Sequence, residues 1–421
     1  MRKTLTLLLA AAALAVAQPA AADTVSDWWE FATKISNASQ PPPGSGRTPD
    51  GERALTRASL AMFEAANAID RRYESYLGVP AGDPAASQEA AIITAAYKVL
   101  VHHFPTQKAA LDDSYGLAMA ALPDGPAKEA GRLIGEQAAA ASLTAGGLDP
   151  AKTPVPYRPV TRPGQWTATG LPSIDPYFST FKPWGAGNDE AALRPPPPVA
   201  LTSERWARDY EEIRRLGGKT GSERTPHQTL MARYRQAPDL APAVRLAADA
   251  PGRTPVQNAR MIALYQMAGD DAAYAMGAAK AHYDFWRPIT AIRNGDQDGN
   301  DATPRDAAWT PLLGTPNFAE YPCGHCTYAA AIAEVMKEET GAAPSYGVRV
   351  GSQAIPNSVM QVLPSWDRWV QEVSDSRIYG GVHFRFSNEA GETVGRRAAR
   401  NLLATAMRPL PAKAAAKPRR R

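Results

Sequence analysis

Four times between residues 55 and 143 the apolar side chains fall at helical spacing, and no convincing alternating run of β-branched residues occurs in the chain. Leu55, Ala58, Met62, Ala66, Ile69 and Tyr73 recur at intervals of three and four, one stripe of an amphipathic helix. Asp83 and Pro84 have the form of an N-cap and a first-turn proline, opening a second helix that runs to about His103 ahead of Pro105. Alanine-rich patterns follow near 107–122 and 126–143, the last closed by Gly146 and Gly147. Four consecutive helices on short connections bury their stripes against one another, so a bundle is predicted over 23–150. Helical patterns resume at Ser203, an N-cap for a helix with Trp206, Tyr210 and Ile213 on one face, ended by Gly217 and Gly218. Others fit 224–236, 255–286, 326–340 and 388–407. The predicted class is all-α, with a second helical domain over 201–408.

The two ends read differently. Arg2 and Lys3, an apolar run over 5–17 and Ala20-Ala21-Ala22 ahead of Asp23 form a signal peptide over 1–22. That run is short for a membrane span, and no later stretch approaches the ~20 apolar residues one needs. The mature chain is therefore expected to be periplasmic or secreted, from a bacterial cell, with no membrane span once the signal is removed. The segment 41–46, PPPGSG, is a linker, and 151–200 is a proline-rich connection without strong period, ending in RPPPP. Residues 409–421 form a basic tail.

The formal net charge is +4, but two positives sit in the signal and five in the tail, so the body is mildly acidic. A basic tail without interleaved aromatics gives no nucleic-acid surface. The loop NGDQDGND has calcium-like spacing, yet Arg305 stands where the twelfth-position glutamate belongs, and a polar inter-helix loop is the simpler reading. Two cysteines exclude a disulfide scaffold, although an exported compartment permits one local bridge. Cys323-Gly324-His325-Cys326 has the letters of a thiol-exchange site, but that chemistry belongs to a βαβ context that this chain does not offer. Two reduced cysteines packed at a helix start and a local disulfide both fit.

The same stretch also reads as Pro-x-Gly-His opening a helix, with His325 as the reactive group. Upstream, in KAHYDFWRPITAIR, Lys280 and Arg287 stand seven residues apart, nearly two turns, so both cations are expected on one helix face before Pro288. Downstream, in SRIYGGVHF, Arg377 precedes His383 by six residues, with Gly380-Gly381 permitting a tight turn between them. Each piece alone has an ordinary reading as a solvated pair, a cap or a turn; His102-His103, His227 and His282 are given structural readings. Three cations, two histidines and a glycine at a helix N-terminus together make an oxyanion site.

Lys-x6-Arg-Pro, Pro-x-Gly-His and Ser-Arg-x5-His resemble the signature shared by type 2 phosphatidic-acid phosphatases, bacterial acid phosphatases and vanadium-dependent haloperoxidases. FWRPITAIRNGDQDGN, FAEYPCGHC and FEAANAIDRRY look most like the secreted bacterial haloperoxidase-like branch. The resemblance implies a helical fold with one vanadate- or phosphate-sized pocket. Lys280, Arg287 and Arg377 would neutralise the oxyanion, with the Gly324 N–H assisting and Cys323 standing where the family has an anion-binding serine. In a haloperoxidase His383 would ligate vanadate, the implied cofactor, and His325 would assist protonation, with halide and hydrogen peroxide as substrates. In a phosphatase, which needs no cofactor, His383 would attack a phosphomonoester and His325 protonate the leaving group. A non-catalytic oxyanion-binding protein is the third possibility. Phe318 matches an aromatic lining the halide side. Ser387 stands where the family has the aspartate that orients the second histidine, leaving a hydroxyl for that task. Oligomeric state is not read from these features.

Overall fold

The computed structural model describes residues 23–39, 53–147, 157–170, 180–355 and 357–411. The signal peptide, the 41–46 linker, most of the basic tail and parts of the proline-rich connection lie outside them. The described residues form fourteen α-helices and one small sheet. The helices are α1 (Thr24–Ala38), α2 (Ala54–Ile69), α3 (Gln88–His103), α4 (Lys108–Ala120), α5 (Pro126–Leu143), α6 (Glu190–Leu193) and α7 (Glu204–Gly217). They continue as α8 (Pro226–Tyr234), α9 (Ala241–Ala248), α10 (Pro255–Tyr283), α11 (Pro288–Arg293), α12 (Gly324–Thr340), α13 (Trp366–Tyr379) and α14 (Arg385–Thr405). The all-α reading holds.

The sheet is the one departure in class. Three short antiparallel strands, β1 (Pro238–Asp239), β2 (Val348–Ser352) and β3 (Gln361–Leu363), pair in the order β1-β2-β3. Strands of two to five residues leave no alternation long enough to detect.

Several boundaries move for local reasons. Helix α3 starts after Ser87, whose hydroxyl accepts the Ala90 N–H at 3.1 Å. Asp83 instead caps only a turn, accepting from Ala85 N at 2.8 Å. Ser203 caps α7 and Gly125-Pro126 opens α5, as their residue types dictate. The larger correction concerns α10, which stops at Tyr283 because Asp284 takes the left-handed conformation (φ 43°). Lys280 therefore lies on α10, while Arg287 lies beyond it as the N-cap of α11. The two cations do not share a helix face.

Helix α10 is buried along most of its 29 residues and touches both α2 and the α12–α14 group. One apolar core runs from α1–α3 through α10 into α12 and α13. Glycines permit the closest helix approaches: a Cβ on Gly395 of α14 would sit 2.0 Å from the Thr327 carbonyl of α12. The proline-rich connection contributes a strap, in which Trp166 N donates to Asp284 O at 2.8 Å and Trp286 N to Gly164 O at 3.1 Å. The NGDQDGND loop spends its buried carboxylate internally, since Asp298 accepts from Trp206 Nε1 at 2.7 Å and from Thr303 Oγ1.

Candidate active site

A second, aromatic core of Trp206, Tyr210, Phe285, Trp286, Tyr321, Phe384 and Phe386 lies where three segments meet. Each segment carries a polar residue directly beside an aromatic anchor: Arg287 after Trp286, Glu320 before Tyr321 and His383 before Phe384. Burying the rings fixes the backbones, and the neighbouring polar side chains are carried inward with them. Arg287, Glu320, Lys280, Arg377 and His383 are all at most 3% exposed.

His383 stands at the centre. Its Nδ1 is 2.8 Å from Glu320 Oε1, and its Nε2 is 3.2 Å from Arg287 Nη1. A guanidinium can only donate, so Nε2 is the accepting, unprotonated nitrogen and Nδ1–H donates to Glu320. Burial first, then Arg287, Lys280 and Arg377, hold the His383 pKa well below its usual value. Glu320 beside it would oppose that shift, but burial pushes the Glu320 carboxyl up to about 7, so near neutrality its charge is only partial. The ring is neutral, with a bare lone pair at Nε2.

The cations divide into two kinds. Arg287 donates from Nε to Phe318 O at 2.8 Å and from Nη1 to Val382 O at 3.0 Å, while its buried Nη2 has no partner. Arg377, on the last turn of α13, donates from Nε to Ser376 Oγ at 3.3 Å, and its buried Nη2 is likewise unpartnered. Burial pushes both guanidinium pKa values down to about 10. Lys280 differs. Its three protons are spent on three backbone carbonyls, Ala319 O at 2.8 Å, Glu320 O at 2.6 Å and Pro322 O at 2.7 Å. Burial, then Arg287, lower its pKa well below 10.5. With its three protons on carbonyls, Lys280 can serve the neutralising role expected of it only as a nearby charge, and it also holds residues 319–322.

Residues 323–326 open α12. Cys323 is its N-cap and Gly324 its first residue, so the Gly324 N–H is a first-turn donor without an intrahelical acceptor. Cys323 and Cys326 are joined in a disulfide, which decides between the two states the sequence allows. The bonded Cys323 sulfur carries no S–H and accepts from Cys326 N at 3.2 Å. Cys323 therefore offers no side-chain donor to an anion at the position where the family has a serine. His325 stays partly in contact with solvent, although its ring is packed among protein atoms, and its Nε2 donates to Gln236 O at 3.0 Å, since a carbonyl only accepts. The Nδ1 of His325 keeps its lone pair. Burial, then Arg377, push its pKa down to about 3. Phe318 lies over both Arg287 (4.8 Å) and Lys280 (5.3 Å) and is itself partly exposed.

Glu320 is the functional residue that the sequence did not single out. Its signal is an acid two positions before Pro322, but the histidine it holds lies 63 residues away, and no local spacing connects the two. Ser387 does not hold the His383 ring. It lies beside Glu320 and offsets a little of the upward push of burial, yet neither Ser387 Oγ nor Glu320 Oε2 has a partner at full hydrogen-bond geometry. The orienting task expected of Ser387 thus passes to Glu320. His282 and His227 are exposed and stand apart from this network.

An oxyanion fits what these residues leave open. Three buried cations face one buried carboxylate, an excess of positive charge that is costly in a protein interior without an anion. Two unpartnered guanidinium Nη2 groups, a bare imidazole Nε2 and a first-turn N–H are the donors and the ligand that a tetrahedral anion requires.

Known proteins agree with this architecture. Residues 260–411 match the model of the VCPO second helical-bundle domain. The fold is similar to the crystal structure of the first bacterial vanadium-dependent iodoperoxidase, at 19% identity and TM-score 0.72, over 91% of this chain and 96% of that one. It is also similar to the holo-type bacterial vanadium-dependent chloroperoxidase, at 17% identity and TM-score 0.63, over 88% of this chain and 97% of that one. No curated protein sequence matches the chain. Residues 260–411, which carry Lys280, Arg287, Glu320, His325, Arg377 and His383, thus resemble the VCPO second helical-bundle domain, and the chain shares its fold with the solved bacterial vanadium-dependent peroxidases.

Proposed function

We propose that this chain is an exported vanadate-dependent haloperoxidase acting on halide and hydrogen peroxide. The observation that carries the reading is the pair of buried, unpartnered guanidinium nitrogens, Arg287 Nη2 and Arg377 Nη2, near a histidine whose Nε2 is unprotonated. His383 Nε2 would be the single protein ligand to vanadate, Arg287 and Arg377 would neutralise its charge, and the Gly324 N–H would add a donor. Bound vanadate supplies an electrophilic centre that activates peroxide for two-electron oxidation of a halide. His325 has its Nε2 proton committed to Gln236 O, so its Nδ1 would be the atom to take a proton from peroxide and return it. Phe318, stacked over Arg287 and partly exposed, shields the cations from water on one side. The signal-peptide features of residues 1–22 support export.

The test is oxidation of iodide, bromide and chloride by hydrogen peroxide with the purified protein, with and without added vanadate. Turnover that requires vanadate supports the reading and identifies the halide. Hydrolysis of a phosphomonoester, inhibited by vanadate, would replace it with the phosphatase reading. Anion binding without either turnover would leave a binding protein.

A further inference from the structure

The oxyanion cradle contains a support whose parts are far apart in sequence. Glu320 Oε1 accepts from both His383 Nδ1 (2.8 Å) and the Phe384 N–H (3.1 Å), so one carboxylate oxygen holds the ring and the residue that caps α14. Glu320 is held in turn. Its N–H donates to Phe285 O at 2.8 Å, and its own carbonyl is one of the three that receive the Lys280 ammonium. The neighbouring carbonyls of Ala319 and Pro322 receive the other two protons, so Lys280 gathers the chain on both sides of Glu320 around a single point. Nothing in that arrangement leaves Lys280 a proton for a ligand.

Taking the oxyanion reading of this site as its basis, we infer that Lys280 and Glu320 form a positioning relay: Lys280 shapes residues 319–322, and Glu320 thereby locks His383 in the tautomer that presents a bare Nε2. Without the carboxylate, nothing accepts the Nδ1 proton, and only the Arg287 Nη1 contact at 3.2 Å still favours a bare Nε2. In one tautomer Nε2 is capped by hydrogen and is closed to an anion's central atom. The Lys280 charge still favours an anion nearby, but its hydrogen bonds act on the protein. Ser387, buried beside the unpartnered Glu320 Oε2, is the place from which a carboxylate on α14 could serve the same ring. The position of the carboxylate in the sequence is then exchangeable; its position in space is not.

The experiment uses the full mature protein labelled with 15N-histidine. Six histidines make imidazole spectra tractable. The His383 tautomer is read in the anion-free state, and binding of orthovanadate and inorganic phosphate is measured separately by calorimetry. Wild type should show the Nδ1–H form alone. Glu320→Ala should mix the tautomers and weaken anion binding about 10–100-fold, the usual scale for removing a support behind a ligand. The double variant Glu320→Ala with Ser387→Asp should restore both. Lys280→Met should mix the tautomers as Glu320→Ala does. A fixed Nδ1–H tautomer in Glu320→Ala, or no rescue by Ser387→Asp in a folded protein, overturns the inference. So does a Lys280→Met protein that binds anions weakly while its His383 tautomer is unchanged, because Lys280 would then be a direct ligand. If Lys280→Met does not fold, Glu320→Ala and its rescue decide alone. Failure of wild type to bind either anion overturns the oxyanion reading instead, and the tautomer readout still judges the relay.

Discussion

Glu64 and Glu320 are both fully buried carboxylates, one in the N-terminal bundle and one in the candidate active site, and they are used in opposite ways. Both oxygens of Glu64 are occupied: Oε2 accepts from Ser75 Oγ at 2.6 Å, and Oε1 accepts from the N–H groups of Tyr76 and Leu77 at 2.7 and 2.8 Å. All three partners lie within 13 residues, and the carboxylate pins the chain that leaves α2. Glu320 uses one oxygen on partners more than 60 residues away and leaves the other unmatched. The contrast extends to the surroundings. Among the described residues of 54–143, no buried side-chain polar atom lacks a partner, whereas around His383 the unmatched atoms include Arg287 Nη2, Arg377 Nη2, Ser387 Oγ and Asn388 Oδ1. The carboxylate buried for the fold is satisfied by the fold. The one at the candidate site keeps an oxygen unmatched among donors that are unmatched too.

Removing the group around which the unmatched atoms gather gives the strongest test of that contrast. His383→Ala should abolish vanadate-dependent turnover while the thermal unfolding midpoint moves little; retained turnover would mean that the chemistry lies elsewhere. Glu64→Ala should do the reverse. Leaving three donors without their charged acceptor should lower stability by about 2 kcal/mol, seen in the denaturant midpoint, with the anion affinity of the folded protein unchanged. A loss of affinity there would blur the line between the two regions.

A smaller effect is expected from the Cys323–Cys326 disulfide, which ties the N-cap of α12 to its own first turn, where that turn packs on α14. A Cβ at Gly391 of α14 would lie 2.6 Å from Cys323 O and 3.3 Å from Cys326 Cβ, so that turn has little room to rearrange. Closing so short a loop contributes at most about 2 kcal/mol by chain entropy. Reduction should therefore weaken phosphate or vanadate affinity several-fold with at most a modest shift in midpoint; calorimetry with and without reductant checks both. Unchanged affinity would show that the first turn is held by its helix alone. Smallest of all, His282→Ala should alter neither turnover nor stability, because His282 is exposed beyond the network. A measurable effect on turnover would enlarge the site beyond the residues gathered around His383.

Much of the fold could be read from local pattern. Helix α5 spans the residues 126–143 that its alanine-rich pattern indicates, and α7 begins at its Ser203 cap. Where the reading slipped, a local competitor decided. Ser87 took the cap of α3 from Asp83, and Asp284 adopted a left-handed conformation, ending α10 before Arg287. Aspartate tolerates that backbone region better than most residues, but nothing in the sequence pattern demands it. For the site, residue types and order indicated Lys280, Arg287, His325, Arg377 and His383. What each of them does was not legible, because a hydrogen bond is a property of a pair, and apart from Arg377 with its neighbour Ser376 these pairs span 31 to 96 residues.

By itself, the sequence determined the helical class, the basic and histidine-rich character of one short set of motifs, and the superfamily those motifs resemble. These rest on periodicity and spacing, which act over a few residues and survive in the unfolded chain. The tertiary structure alone decided that Lys280 serves residues 319–322, that the two cysteines are bonded, and that Glu320 rather than Ser387 holds His383. The physical reason is competition for partners. A buried lysine or imidazole bonds whichever acceptor the packed backbone brings within about 3 Å, and which acceptor that is depends on the aromatic core, assembled from segments more than a hundred residues apart.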